Sequence, residues 1–342
     1  MQSLLRCGWL LALLALVVPG ESQAGTWKIG RNQQDCPGGC SFYDGHPQVQ
    51  FNGGGITAAM LSASVVAGDT VRVWPGTYNQ RFTMKSSIVL VSDQGPATTI
   101  LAGAAGQEPL CLMVNTGPLT TIDGFTIRWD AQTTGTGGGI GAYVASGTIR
   151  NNIFRNCQAA LGSGAYMQFC DLTVENNLFV NNTCHSGGGV LAVAGGTPTI
   201  RNNTLVGSIA PLGLHGAAVF ASGASMTFEN NIITGSVGGT AVYCANMGGG
   251  TFGCNDVWGN LDGAFGGSCV DSVGASGNVS LDPLFCNPGA SDYGMCVDSP
   301  AVTGPCGVIG YQPTTGNCPA CFPTPVAELE FLSWGKVKSR YR

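Results

Sequence analysis

The five residues TIRNN stand at positions 148–152 and return unchanged at positions 199–203. TVENN lies between them at 173–177, and TFENN follows at 227–231. The threonine that opens this motif recurs in steps of 24 to 28 residues, at Thr121, Thr148, Thr173, Thr199, Thr227 and Thr251. A fixed period in the twenties is typical of a solenoid, in which each repeat is too small to bury its own apolar face and stacking supplies the core.

The repeat has the pattern of a β-strand. Ile149 stands between the polar residues Thr148 and Arg150, so that one side chain points inward and its neighbours point outward. The composition agrees, because 54 glycines and only 10% charged residues disfavour helices. The sequence therefore predicts an all-β protein, a parallel β-helix of about eight or nine coils. With neighbouring strands about 4.8 Å apart, the rod would be roughly 40 Å long.

Two further columns of the repeat predict how neighbouring coils contact each other. We expect a hydrogen-bonded asparagine ladder in a tight turn, because asparagine tolerates the left-handed conformation and its amide reaches the next coil. This column comprises Asn152, Asn177, Asn203, Asn231 and Asn255. A second column alternates in charge, which favours a salt-bridged outer stripe over a catalytic role. Its members are Asp123, Arg150, Glu175, Arg201 and Glu229.

The two ends of the chain do not follow the repeat. Residues 1–24 combine a basic residue, an apolar run and a small-residue cleavage site, and we interpret them as a signal peptide of an exported protein without a transmembrane segment. Residues 56–67 look helical and should form an N-terminal cap, while the cysteine-rich residues 281–321 should cover the other end of the domain, 25–321. We interpret the tail, 322–342, either as a sorting or attachment signal or as a solubilising end.

The cysteine content indicates an oxidising compartment. Of fifteen cysteines, Cys7 lies in the signal peptide, which leaves fourteen, an even number that favours disulfides in an exported chain. Cys157 and Cys184 follow the asparagine turn in successive coils, and we expect them to pair. Cys286 and Cys296 form the second expected pair.

The stretch VAGDTVRVWPGTYNQRFTMKSSIVLVSDQGPATTILAG (66–103) resembles the opening coils of the right-handed, pectin-lyase-like β-helix superfamily. The coils that contain NN are similar to its generic repeats, and LDPLFCNP (281–288) followed by DSPA (298–301) is similar to the closing segment of secreted members. The resemblance covers residues 45–310 and implies a right-handed single-stranded parallel β-helix. It implies no single activity, since this fold carries lyases, hydrolases, esterases, adhesins and structural rods.

Enzymes of that superfamily act on acidic polysaccharides, with charged residues on the first strand of each coil or on the turn before it. The corresponding stretches here contain no Asp, Glu, Lys or Arg; they are residues 137–145, 163–169, 186–194, 215–222 and 238–245. Removing or adding a proton on a sugar requires such groups within hydrogen-bond reach. We therefore predict a secreted or cell-surface β-helix that binds a polysaccharide or a cell-surface component and catalyses no reaction.

The alternative is a diverged polysaccharide lyase or hydrolase that acts on acidic glycans. Its best site would bring His185 and His215 together in consecutive coils, near Tyr143 and Tyr166, with Asp130 on an earlier loop. Tyrosine stacks on sugar rings, and histidine exchanges a proton near neutral pH. The competing interpretation is that both histidines are solvated turn residues.

Charge and motifs limit the remaining functions. A net charge of −5 without a basic cluster in the body of the chain argues against nucleic-acid binding. The acidic balance suggests calcium binding as a further hypothesis, but the sequence has no EF-hand loop and no GGxGxD repeat. We therefore expect no cofactor.

Overall fold

The computed structural model describes residues 24–43, 54–103, 109–129, 135–186, 188–211, 215–269, 274–312 and 318. The expected signal peptide (except Ala24), the tail 322–342 and Asp130 lie outside these residues. The described chain winds into a parallel β-solenoid whose coils consist of three short strands joined by turns. None of its described helices is long and apolar enough to cross a membrane.

The first face of the solenoid contains the threonine column. Thr148 stands opposite Thr121 on one side and Thr173 on the other, in parallel register, and Ile149 beside it is completely buried. The strands of this face are Thr26–Gly30 with the short Phe42–Tyr43 beside it, Thr70–Val73, Val89–Ser92, Thr121–Asp123, Ser146–Arg150, the end of Ala165–Glu175, Thr199–Arg201, Ser225–Glu229 and Gly249–Gly253.

The second face follows the asparagine turn and is an eight-stranded sheet, which agrees with the expected number of coils. Its central residues point into the core, where the rings of Phe154 and Phe179 stack with their centroids 4.5 Å apart. Its strands are Gly76–Asn79, Thr99–Ala102, Thr126–Arg128, Ile153–Arg155, Leu178–Val180, Thr204–Val206, Ile232–Thr234 and Asp256–Trp258.

The third face leads back to the first. Its strands are Phe82–Thr83, Cys111–Val114, Ile140–Tyr143, the beginning of Ala165–Glu175, Leu191–Gly196, Val219–Ser222, Val242–Ala245 and Phe265–Gly267. The strand Ala165–Glu175 belongs to both faces, since it pairs with the preceding coil on the third face up to Gln168 and on the first face from Asp171 onward. Two short strands, Gln158–Ala159 and Thr183–Cys184, pair in the turn between the second and third faces.

The two asparagines of each NN pair have different structural roles. The first adopts the left-handed conformation, with φ between +51° and +57° at Asn151, Asn176, Asn202 and Asn230. The second is completely buried, and its Oδ1 atom accepts hydrogen bonds from the asparagine of the preceding coil. The ladder runs from Asn152 through the whole column to Asn278. The expected ladder is therefore present, whereas the left-handed residue lies one position earlier than we expected.

The charged column forms ion pairs between adjacent coils. Arg150 Nε lies 2.8 Å from Asp123 Oδ2, and Arg201 Nη2 lies 2.8 Å from Glu175 Oε2. The partners are directly opposite in the strand register. The opposite charges therefore form ion pairs on the outside of the first face, as the sequence predicts.

The N-terminal helix is shorter than the sequence pattern suggests. It spans Gly55–Leu61, with Ile56 and Met60 buried against the solenoid. The Oε1 atom of Gln80 accepts the backbone N–H groups of Ile56 and Thr57 in its first turn. The helix ends before residue 62 because the chain there becomes extended, and Lys85 Nζ donates to the carbonyl oxygens of residues 62 and 65.

The disulfide-rich C-terminal segment occupies a different place from the one expected. It contains the antiparallel strands Phe285–Asn287 and Asp292–Met295, the 3-10 helix Pro288–Ala290 and the helix Pro300–Thr303. Instead of closing only the end of the solenoid, it runs back along the outside of the second face.

The contacts of this segment explain its position. Tyr293 and Tyr311 pack with Leu178 and Val180, and a second cluster surrounds Ile232. The backbone N–H of Tyr311 donates to Thr204 Oγ1 at 2.9 Å. The outward side chains of the second face are apolar in these coils, so they need a cover to leave water.

Both expected disulfides are wrong. The register Ala159↔Cys184 places Asn182 beside Cys157, and Cys157 N donates to Asn182 Oδ1. Cys157 and Cys184 are thus offset by two strand residues, roughly 6–7 Å, and both are buried thiols.

In the second expected pair, Cys286 forms its disulfide with Cys318 instead of Cys296. The backbone of Cys318 pairs with that of Cys296 in a β-bridge. The other disulfides are Cys36–Cys40, Cys244–Cys269 and Cys254–Cys306.

Candidate ligand-binding face

The outward side chains of the third face include a series of aromatic rings. On each strand they alternate with core residues, as Tyr166 does between the buried Ala165 and Met167. The register aligns one outward column across six coils: Gly141, Tyr166, Ala192, Phe220, Tyr243 and Gly266. We call Tyr143, Tyr166, His215, Phe220 and Tyr243 together the aromatic face.

Tyr143 and Tyr166 form the first cluster of the aromatic face. Their ring centroids are 5.8 Å apart and their planes are tilted by 52°. The Tyr143 hydroxyl lies 3.1 Å from Thr136 Oγ1, which fixes the ring at the edge of the strand. Burial raises the pKa of Tyr166, and the neighbouring Tyr143 adds to this effect, so the Tyr166 hydroxyl stays neutral. The structure therefore brings the two predicted ligand-binding tyrosines together.

Sequence reasoning missed the second cluster, which consists of His215, Phe220 and Tyr243. The His215 ring stacks on Tyr243 with centroids 4.1 Å apart, and the Phe220 and Tyr243 planes are within 2° of parallel at 6.2 Å. A signal was present in the repeat. Phe220 stands seven residues before its column threonine, Thr227, just as Tyr166 stands seven residues before Thr173.

Glycines in the last coil of this face make room for the ring of Tyr243. A Cβ atom at Gly266 would lie 3.0 Å from Tyr243 Cδ2, and one at Gly267 would lie 3.0 Å from Tyr243 Cζ. The ring therefore lies over the next strand rather than extending into solvent. This arrangement orders an aromatic side chain that remains half-exposed.

The two candidate histidines are not brought together. The register Leu191↔Val219 leaves His185 and His215 two residues out of step. The exposed His215 stacks on Tyr243, while His185 is half-buried and its Nε2 atom has no hydrogen-bond partner within the described part of the chain. With Asp130 outside the described residues, the described side chains do not assemble the acid–base group that the enzyme hypothesis requires.

The carboxyl group of Asp256, outside the aromatic face, has a strongly raised pKa, but it is inaccessible. Asp256 on the second face is completely buried, and its Oδ1 atom accepts the N–H of Leu281 at 3.0 Å. Burial raises the pKa of Asp256 to about 6, and the nearby Asp282 adds to the increase. A polymer cannot reach this carboxyl group, because the side chain has no exposed surface.

Residues 120–205 match the family model of the right handed beta helix region. The matched residues include Tyr143 and Tyr166, and the fold described above is a parallel solenoid of the same kind. The chain is a right-handed parallel β-helix protein. No curated protein matches the sequence of this β-helix protein significantly.

Proposed function

We propose that this β-helix protein is exported and binds carbohydrate through its aromatic face without catalysing a reaction. The observation that carries the proposal is the arrangement of Tyr143, Tyr166, Phe220 and Tyr243 on one side of the rod. Aromatic rings offer a large apolar surface to the C–H groups of a sugar, and tyrosine adds a hydroxyl group for hydrogen bonding. Four disulfides between described cysteines support export, since such bonds persist in oxidising compartments.

The chemistry of the face supports binding rather than catalysis. The described residues in the strands of the third face include no Asp, Glu, Lys or Arg. The first charged residue of the strand Ala165–Glu175 is Asp171, which already pairs on the first face. General acid–base catalysis needs a titratable group within hydrogen-bond distance of the reacting proton. A histidine that stacks on Tyr243 is the only titratable side chain of the aromatic face other than the tyrosines.

A polysaccharide panel tests this proposal. The purified mature protein is mixed with cellulose, chitin, xylan, polygalacturonate or alginate, with and without calcium, and the unbound fraction is measured. Release of reducing ends and of unsaturated products is followed in the same samples. We expect retention on at least one polysaccharide and no release of products.

Two variants connect the result to the aromatic face. The double variant Tyr143→Ala and Tyr166→Ala should lose retention. Trp258→Ala is the matched control, because Trp258 is also aromatic and 37% exposed but lies on the second face. Product release that disappears in His185→Ala with His215→Ala would overturn the proposal in favour of a diverged lyase or hydrolase.

A further inference from the structure

The turn from the third face to the first repeats one left-handed residue in six successive coils. Its φ lies between +50° and +74° at Asn115, Val144, Phe169, Gly195, Gly223 and Asn246. Asparagine and glycine tolerate this conformation, and they occupy four of the six positions. A β-branched or bulky residue with positive φ is an outlier. Val144 and Phe169 are therefore strained, although the same turn is made without strain in the other coils.

Core packing does not explain these two residues. The side chain of Val144 is 61% exposed and that of Phe169 is 62% exposed. Residues held in such sparsely populated backbone conformations cluster at functional sites, where the surrounding structure maintains the conformation despite its cost. Both residues lie in the two coils that carry Tyr143 and Tyr166.

The side chains of these two coils form one apolar edge. Val144 directly follows Tyr143, and its backbone N–H donates to Gln168 O in the next coil. The Phe169 ring lies over the following coil, where a Cβ atom at Gly195 would be 2.7 Å from Phe169 Cδ1. The apolar surface thus continues around the corner of the rod beside the tyrosine pair.

We propose that Val144 and Phe169 are ligand-binding residues that form, with Tyr143 and Tyr166, a subsite for an uncharged, extended polysaccharide. This inference rests on the proposed function and names the ligand class and further contact residues. Successive coils stand about 4.8 Å apart, close to the length of one sugar in an extended β-1,4-linked chain, so the glycan lies along the rod axis.

The charge of the subsite selects the ligand class. Its polar neighbours, Thr136 and Gln168, are uncharged. Asp171, the next charged residue along the strand, accepts hydrogen bonds from Thr197 N and Thr197 Oγ1 with its Oδ1 atom. An acidic glycan would need cations to compensate its carboxylates, and the described residues of the subsite supply none.

The test replaces Val144 and Phe169 by asparagine, which occupies the same turn position at 115 and 246. We expect the double variant Val144→Asn with Phe169→Asn to unfold at a temperature a few degrees higher, because asparagine tolerates positive φ. Its affinity for cellulose or chitin should fall about tenfold, because apolar contact with the sugar is lost. Asn246→Gly is the matched control, with no expected change in either quantity.

The outcomes separate this inference from the proposed function. If the double variant keeps full affinity while Tyr143→Ala with Tyr166→Ala loses it, the subsite inference fails and the proposed function stands. A lower unfolding temperature would also overturn the inference, because the two residues would then be structural. If the unaltered protein binds only polygalacturonate or alginate, the subsite inference fails and the proposed function stands. If it binds no polysaccharide of the panel, and instead self-associates in light scattering or binds phosphatidylcholine vesicles, both proposals fail.

Discussion

Asn177 Nδ2 donates to Asn203 Oδ1 at 3.0 Å, and the same oxygen accepts the backbone N–H of Asn177 at 3.0 Å. One side chain therefore satisfies two donors of the preceding coil. The Asn177 amide also donates to Ile149 O, which lies in the coil before that of Asn177. Each rung of the ladder therefore connects three successive coils. A repeat of this kind holds the coils in register because a shift of one residue would leave buried polar groups without partners.

Replacement of a ladder asparagine should therefore be costly. Asn203→Ala leaves the N–H of Asn177 and the carbonyl of Val174 without their side-chain partner, and we expect a loss of about 3 kcal/mol in the free energy of unfolding. Asn202→Gly is the control, since Asn202 has φ of +53° and should tolerate glycine with a change below about 0.5 kcal/mol. Denaturant titration measures both, and similar losses for the two variants would contradict the ladder's role.

The buried carboxyl group of Asp256 should make stability depend on pH. Its pKa is about 6 in the folded protein and near 3.8 when exposed, so the unfolded chain releases this proton first. Between these values the unfolded state binds fewer protons, and the stability contributed by Asp256 falls as the pH rises.

Asp256→Asn removes this dependence and keeps the oxygen that accepts Leu281 N. We expect the variant to be more stable than the unaltered protein by roughly 3 kcal/mol at pH 8, with a difference that disappears near pH 4. Thermal unfolding at a series of pH values measures it. A difference that is constant between pH 4 and pH 8 would contradict the assigned pKa.

The C-terminal segment should contribute to stability through its contact with the second face. Tyr311 is 8% exposed and packs with Leu178 and Val180, so Tyr311→Ala should cost about 3 kcal/mol. Val308→Ala lies three residues earlier with a side chain that is 46% exposed, and it should change stability by less than about 0.5 kcal/mol. If denaturant titration finds equal effects, the segment does not pack as described.

The buried cysteines Cys111, Cys157, Cys170 and Cys184 should be unreactive in the folded protein. Burial raises the pKa of Cys111, Cys170 and Cys184, which disfavours the reactive thiolate. Alkylation without reductant should therefore label Cys157 and Cys184 only after denaturation, and peptide mapping should recover them unlinked. A disulfide-linked peptide that contains both would show that our register for this turn is wrong.

Much of the fold was predictable because the period of the repeat shows which residues occupy equivalent positions in successive coils. The threonine period indicated the coil, the isoleucine beside each threonine indicated the core, and the asparagine and charge columns indicated the contacts between coils. These features depend on the spacing between identical positions, which stacking preserves. The disulfides were not predictable in this way, since Cys157 and Cys184 stand nine and eleven residues after their threonines and this difference of two residues decides against pairing.

The candidate site was predictable only in part. Tyr143 and Tyr166 were found because they lie in successive coils, whereas the stacking of His215 on Tyr243 depends on ring orientations that the sequence does not encode locally. The strain at Val144 and Phe169 could be recognised only from the backbone, because nothing in their neighbours marks them as left-handed residues.

The sequence by itself determined the solenoid and its internal ladders, because these result from short-range spacing repeated many times. Only the tertiary structure decided where the non-repeating parts lie. The C-terminal segment covers the second face because Leu178, Val180 and Ile232 point outward there and need burial, a requirement that arises only once the coils are stacked. The aromatic face likewise exists only in the stacked protein, since its rings come from separate coils and the register alone aligns them.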